Sequence, residues 1–392
     1  MEERQSRLSS MVWRRLRPYF CVRLILLNSM FSNFCHVLKY GLSLGGAESF
    51  IRSCMQSFVK DDVEWHFALQ NPEITNIFFA ENVISDRIHY LPPFNRNPIG
   101  QYRALSRLLK AEHFDVVHIH ANALINTVPL ICCIRRRQKF VIHSHSTSTN
   151  HGLLCRTIHG INKTWLRRSK AAIRVACSTQ AGEWMFGDSP FIVINNAIDI
   201  NKYVFNKLSR CKIRDRFAIP EDAFVIGTVG RMVEAKNYPY IITLFRQYLR
   251  QNPSARALLV GDGPLRNIIE QQAADLGKRV IFAGSQQDTA PFYSAMDCFI
   301  APSFFEGLSI VTVEAQASGA NIVVSDAIPN EVNISGLVNK LSLSDPVEKW
   351  IELLASPEAD PATRVARGEK LRNSVFDLPY LAETLRSLYS KK

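Results

Sequence analysis

The sequence predicts an α/β protein built from two Rossmann-like, doubly wound domains that face each other across a cleft. Three observations support this. Strand-like and helix-like segments alternate in two successive series, separated by a polar connector at roughly 197–222; such alternation implies mostly parallel sheets. The 392 residues, 47% of them hydrophobic, suit two or three domains of ordinary globular composition. The conspicuous glycines and ionisable residues fall directly after strand-like runs, where open parallel sheets bind ligands.

In the first series FCHVLKY (34–40) reads as a strand, and GLSLGGAESFIRSCMQSF (41–58) as a glycine turn followed by an amphipathic helix. WHFALQ (65–70) and IHYLP (88–92) read as further strands. A helix at 99–112 leads to the strands DVVHIHA (115–121), KFVIHSHS (139–146) and AAIRVACS (171–178). In the second series FVIGTVGR (224–231), ARALLVGDG (255–263), RVIFAG (279–284), DCFIAPS (297–303) and ANIVVSD (320–326) read as strands, with helices at 238–249 and 265–277. LPYLAETLRSLYSKK (378–392) closes the chain with helical apolar spacing. The resulting division is a basic N-terminal extension (1–33), a first domain (34–200), a second domain (201–377) and a C-terminal helix (378–392).

The formal net charge is +12, and residues 1–200 hold 24 Lys and Arg against 14 Asp and Glu, so the excess lies in the first half. Two expected helices carry it, QYRALSRLLKAEHF (101–114) and RTIHGINKTWLRRSK (156–170). Each suits either an anionic membrane surface or ordinary packing by its apolar stripe. The near-neutral second half, with no recognised binding motif, argues against nucleic acid. No apolar run approaches ~20 residues, so no transmembrane span is expected. The nine cysteines include no CxxC pair and read as reduced thiols of a cytoplasmic protein.

The most informative stretch is FFEGLSIVTVEAQASG (304–319), a loop and helix after a strand. It carries Glu306 and Glu314 with seven residues between them. A helix N-terminus there can hold phosphate, and carboxylates accept hydrogen bonds from sugar hydroxyls. Arg231 and Lys236, five apart after another strand, form a cation pair able to clamp a diphosphate. GLSLGGAE (41–48) lets backbone approach a phosphate, or is a plain turn. GxGxxG is absent there and at GDGPLR (261–266), so no dinucleotide cofactor is expected. HIH (118–120) and HSH (143–145) end neighbouring strands. Period two puts both histidines of each pair on one side, so four imidazoles can converge as a metal site, as a cleft group or as structure.

GGAESFI, DVVHIHAN, ACSTQAGEWMFG, INNAID, VGRMVEAKN, LVGDGPLR and PSFFEGLSIVTVEAQASG occur in an order that resembles the retaining glycosyltransferases of family 4, in particular the bacterial exopolysaccharide and capsule enzymes. The likeness covers roughly residues 34–345. It implies a GT-B fold, with the first domain for the acceptor, the second for the sugar nucleotide, and the last helix crossing back onto the first. It implies that Arg231 and Lys236 contact the diphosphate and that Glu314 holds the ribose hydroxyls. Glu306 lies near the donor sugar, and the backbone of Gly307, Leu308 and Ser309 near sugar or phosphate. Gly45 and Gly46 close over the phosphates from the opposite domain. His120 sits by the donor sugar, while His118 is assigned to structure only. No cofactor and no metal are required.

The implied reaction transfers a sugar with retention, from a UDP-sugar to a lipid-linked or oligosaccharide acceptor. The implied place is the cytoplasmic face of the cell membrane, with peripheral contact to anionic lipid. A metal-dependent hydrolase built on the paired histidines and a non-catalytic sugar-nucleotide-binding protein are the alternatives. Residues 1–29 have no counterpart in the family; they read either as lying upstream of a start at Met30 or as a basic membrane-contacting segment. The stretch after Asp326, around IPNEVNISGLV, departs from the family pattern, which leaves the loops at the nucleotide's edge open.

Overall fold

Apolar runs of five or six residues, each followed by a turn and a helix, assemble into two parallel sheets. The computed structural model describes residues 33–390 apart from 40, 43–45, 59–62, 72, 147–151, 170 and 356–358. The N-terminal extension up to residue 32, with the readings attached to it, and Gly45 lie outside the described residues.

The first sheet holds β1 (Asn33–Leu38), β2 (Glu64–Leu69), β3 (Ile88–Tyr90), β4 (Val116–Ala121), β5 (Phe140–Ser144), β6 (Ala172–Ala176) and β7 (Ile192–Val193). Their spatial order is β3-β2-β1-β4-β5-β6-β7, all parallel. The helices between them are α1 (Gly46–Ser57), α2 (Ile77–Asn82), α3 (Pro98–Ala111), α4 (Val128–Arg135), α5 (Leu153–Arg168) and α6 (Thr179–Phe186). β4 and β5 are buried almost throughout, as expected of central strands covered on both faces. The order reverses between β1 and β4, which creates a crevice at their carboxyl ends.

A link of two helices, α7 (Ile200–Tyr203) and α8 (Lys207–Arg216), leads to the second sheet. Its strands are β8 (Val225–Val229), β9 (Arg256–Val260), β10 (Val280–Gly284), β11 (Cys298–Ala301), β12 (Asn321–Ser325) and β13 (Val338–Leu341). The order is β10-β9-β8-β11-β12-β13, again parallel, with the reversal between β8 and β11. Around it lie α9 (Tyr238–Tyr248), α10 (Arg266–Gln272), α11 (Ala290–Ala295), α12 (Ile310–Ala317), α13 (Val347–Leu354) and α14 (Pro361–Glu369).

The polar connector expected at 197–222 is therefore largely helical. Few residues of α8 are apolar, and tertiary contacts hold it instead: Arg210 and Arg214 both pair with the buried Asp297, at 2.7 and 2.8 Å. Asp297 also accepts the Val225 N–H at 2.7 Å, which ties α8 to the start of β8.

The last helix, α15 (Leu378–Ser390), crosses back to the first lobe, as the resemblance implies. Leu381, Leu385, Leu388 and Tyr389 pack with Phe34, Phe50, Val116 and Val141. The crossing is pinned beside the lobe junction, where Ile198 N–H donates to Phe376 O at 2.8 Å and Ser53 Oγ donates to Ala197 O at 2.6 Å.

Candidate active site at the central strand ends

The residues singled out above lie at or after the carboxyl ends of β1, β4, β5, β8 and β11, four of which flank the two order reversals. In the second lobe the loop after β8 is fastened on both sides of Arg231. Gly230 N–H donates to Val260 O and Met232 N–H donates to Asp262 O, each at 2.9 Å. Gly261 is required beside it: its φ is +133°, and a Cβ there would stand 2.0 Å from Gly230 O. The Arg231 side chain is left exposed at the strand end.

Lys236 lies in the short turn Glu234–Lys236, which Asn237 ends in a left-handed conformation. Phe304 N–H donates to Ala235 O at 2.8 Å and so draws the loop after β11 onto this turn. The result is a Lys236–Glu306 ion pair that is mostly shielded from solvent. Ser303 Oγ also donates to Glu306, at 3.1 Å. The Lys236 stem passes over Gly230, next to Arg231. The structure thus brings Lys236 and Glu306 together, with the Lys236 stem against Gly230, the residue before Arg231.

Gly307, Leu308 and Ser309 lead into α12. Ser309, the N-cap, is buried and sits at φ 54°, a costly conformation for a residue other than glycine. Its hydroxyl bonds Thr312 Oγ1 at 2.9 Å and makes no cap to the backbone. The Thr312 N–H donates back to Ser309 O at 3.0 Å; the N–H groups ahead of it, at the first turn of a helix, have no intrahelical partners and are of the kind that can receive an anion.

Glu314 stands one turn further on, buried, in a pocket of its own. Tyr203 Oη donates to one carboxylate oxygen at 2.9 Å and Tyr293 Oη to the other at 2.6 Å. Burial pushes its carboxyl up, opposed by the two tyrosine hydrogen bonds and by the charges of Arg52 and Lys202. Arg52 belongs to α1 of the first lobe, so the two lobes act on one another here. Both tyrosines and Arg52 escape the sequence reading, because they reach Glu314 from other segments and carry no local signature.

In the first lobe Gly46 opens α1, and Asn196 Nδ2, within the INNAID stretch, donates to Gly46 O at 3.0 Å. Against Phe50 of this helix the histidines converge as period two implies, with the Phe50 and His143 ring centroids 4.4 Å apart. The register pairs His118 with Val141 and His120 with His143. A fifth ring joins from β1: His36 Nδ1 lies 2.8 Å from His120 Nε2, and His120 Nδ1 lies 2.8 Å from His145 Nε2. A neutral imidazole has one donor and one acceptor, so this three-ring chain carries both its protons in the same direction. Its ends, His36 Nε2 and His145 Nδ1, are buried with no hydrogen-bond partner among the described residues. His118, expected to be structural, has Nδ1 2.8 Å from Tyr389 Oη on α15.

Burial holds these rings neutral. His36 and His145 are pushed down to about 3, and His118, His120 and His143 fall well below the usual imidazole value through burial and then through their neighbours. Ring nitrogens of His36, His118 and His120, and of His120, His143 and His145, lie within 4.8 Å of one another. These sets could ligate a transition metal, yet neither includes a carboxylate to offset its charge.

The comparisons with known proteins point one way. The family model "Glycosyltransferase Family 4" matches residues 44–202, and "Glycosyl transferases group 1" matches 223–356. The chain is 29% identical over 372 residues to the putative glycosyltransferase EpsF of Bacillus subtilis, covering 91% of this chain and 95% of that one. It is 23% identical over 329 residues to an Escherichia coli UDP-Gal:alpha-D-GlcNAc-diphosphoundecaprenol alpha-1,3-galactosyltransferase, covering 78% and 84%. The crystal structure of Anabaena HepE in complex with UDP and glucose superposes with a TM-score of 0.73 at 20% identity, over 92% of this chain and 99% of that chain. The metal-dependent hydrolase reading of the paired histidines gives way to these matches: the chain belongs to the family 4 glycosyltransferases and has the GT-B fold.

Proposed function

We propose that the chain transfers a sugar, with retention of anomeric configuration, from a UDP-sugar to a lipid-linked glycan during bacterial exopolysaccharide or capsule synthesis. One observation carries the reading: the Lys236–Glu306 pair stands at the end of β11, beside Arg231 and the open N-terminus of α12. Cations and N–H groups gathered there suit a departing diphosphate, and Glu306 suits sugar hydroxyls. The relatives support the donor and pathway, since one is named for UDP-Gal and a diphosphoundecaprenol acceptor, and HepE was crystallised with UDP.

In this reading Arg231 and Lys236 take up charge on the leaving diphosphate. Glu314 orients the ribose with the lone pairs that Tyr203 and Tyr293 leave open. Gly45 and Gly46 cover the phosphates from the first lobe. His120 lines the sugar pocket as a neutral group. The acceptor hydroxyl attacks from the face the diphosphate leaves, and a diphosphate oxygen receives its proton. No covalent enzyme intermediate and no metal are needed. The acceptor is held at an anionic membrane surface, which gives the basic first lobe its purpose, and the site of action is the cytoplasmic face.

The test is a panel of UDP- and GDP-sugars in buffer containing EDTA. A true donor at 100 times its dissociation constant adds ~2.7 kcal/mol of stability and is consumed when acceptor is supplied, with retention read by NMR of the product. A panel that moves no melting temperature removes the donor assignment. Activity that EDTA abolishes removes the metal-free mechanism.

A further inference from the structure

Phe304 and Phe305 stand 53 and 71% exposed, and among the described residues no other aromatic side chain between 201 and 377 is as exposed. Neither belongs to the core of the second lobe. The loop that carries them is pinned. Phe304 N–H donates to Ala235 O at 2.8 Å, Ser325 Oγ donates to Ser303 O at 2.6 Å, and Ser303 Oγ donates to Glu306 at 3.1 Å. The Lys236–Glu306 ion pair ties the next residue down as well. Fixed backbone therefore holds two adjacent aromatic rings out in solvent, directly before a group of the candidate site. A single exposed apolar residue is ordinary on a protein surface, but an adjacent aromatic pair at the rim of a polar cleft marks a contact.

The order along the chain selects the occupant. In the function proposed above Glu314 holds the ribose, the N-terminus of α12 and Lys236 the diphosphate, and Glu306 the donor sugar. Exposure rises along that path: Glu314 is buried, Leu308 is buried, and Phe305 is open. The ribose end of the site is closed, and the nucleobase lies on that side, away from the two rings. The sugar end is open, and what meets the donor sugar there is the acceptor. A pyranose presents a face of C–H groups with slight positive charge, and the face of an aromatic ring is negative, so the two stack. Phenylalanine carries no hydrogen-bonding group, so such a contact reads the apolar face of a sugar and leaves its hydroxyls free to react.

We propose that Phe304 and Phe305 form an aromatic platform on which a pyranose ring of the acceptor glycan stacks. The proposal rests on the transferase reading and adds to it the residues that select the acceptor.

The test uses the full chain, the UDP-sugar that it consumes, and as acceptor the lipid-linked glycan extracted from cells that lack the gene. In F304A/F305A the acceptor KM rises about tenfold, while UDP affinity and melting temperature stay at wild-type values. Phe305→Trp keeps the acceptor KM within twofold of wild type, and Phe305→Leu, apolar but without a ring, loses as much as Phe305→Ala. An unchanged acceptor KM in the double variant would overturn the platform. So would full rescue by leucine, which marks a plain apolar contact, or a fall in UDP affinity that matches the rise in acceptor KM, which marks contact with the first lobe. A wild type that consumes no UDP-sugar fails the transferase reading and the platform with it; an active wild type with indifferent variants fails the platform alone.

Discussion

The two lobes repeat one topology and fill it with opposite chemistry. After β8 and β11 the second lobe places Arg231 and the Lys236–Glu306 pair. At the ends of β4 and β5 the first lobe gathers imidazoles that burial holds neutral, with His36 of β1 as the fifth ring. The crevice at a reversed strand order is a place for ligands in both sheets; the second lobe sets the Lys236–Glu306 pair there, and the first lobe adds the charge of Arg52 near Glu314. The first offers a cleft wall of fixed, neutral hydrogen-bonding groups. Fold therefore fixes where chemistry happens, and the side chains on each lobe decide which half of the reaction it serves.

Acid should separate the lobes most. A folded imidazole value below the unfolded ~6.5 means that the unfolded chain takes up the extra proton, so stability is complete above ~6.5 and is lost as pH falls toward 3. Each neutral-held ring contributes up to about 1.4 kcal/mol per pH unit over that range. Denaturant midpoints at pH 7.5, 6 and 5 should fall steadily, and a flat profile would mean that the histidines charge as freely as exposed ones. Next in size, Lys236→Ala should lower kcat/KM about 10²–10³-fold with little change in melting temperature; turnover within threefold of wild type would remove Lys236 from the site. His118→Leu should do the reverse. It strands the Tyr389 hydroxyl on α15 and should cost ~1–3 kcal/mol of stability, with UDP affinity unchanged. Glu314→Gln sharpens the one ambiguous member: weaker UDP binding at an unchanged melting temperature marks a ribose ligand, and the opposite pattern marks a structural clamp for Tyr203 and Tyr293. The smallest effect belongs to Arg231→Lys, which keeps the exposed charge but loses the planar fork, and should cost about 1 kcal/mol in donor binding.

How legible all this is in the sequence depends on how local each signal is. The HIH and HSH histidines are legible because period two fixes their side of the sheet, and parallel pairing of β4 with β5 then makes them neighbours. His36 obeys the same period but stands alone in FCHVLKY, so nothing local marks it as the fifth ring. Lys236 and Glu306 are each legible at a strand end; their meeting depends on the Phe304–Ala235 backbone bond between distant loops. The Tyr203–Glu314 contact spans 111 residues, and no pattern in either segment announces it. Helix α8 has the composition of a connector for a related reason, since its order comes from Asp297, more than 80 residues on. The basic helices at 101–114 and 156–170 look alike in sequence, and only burial shows that one hides its apolar stripe and the other displays it.

The central claim is that the charged end of the second lobe grips a nucleoside diphosphate without a metal. Calorimetric titration of UDP into the wild type and Lys236→Ala, both in EDTA, tests it most directly. The account predicts saturable one-to-one binding to the wild type and at least tenfold weaker binding to the variant. Heat that appears only when a divalent cation is added, or equal affinity in the two proteins, would contradict it.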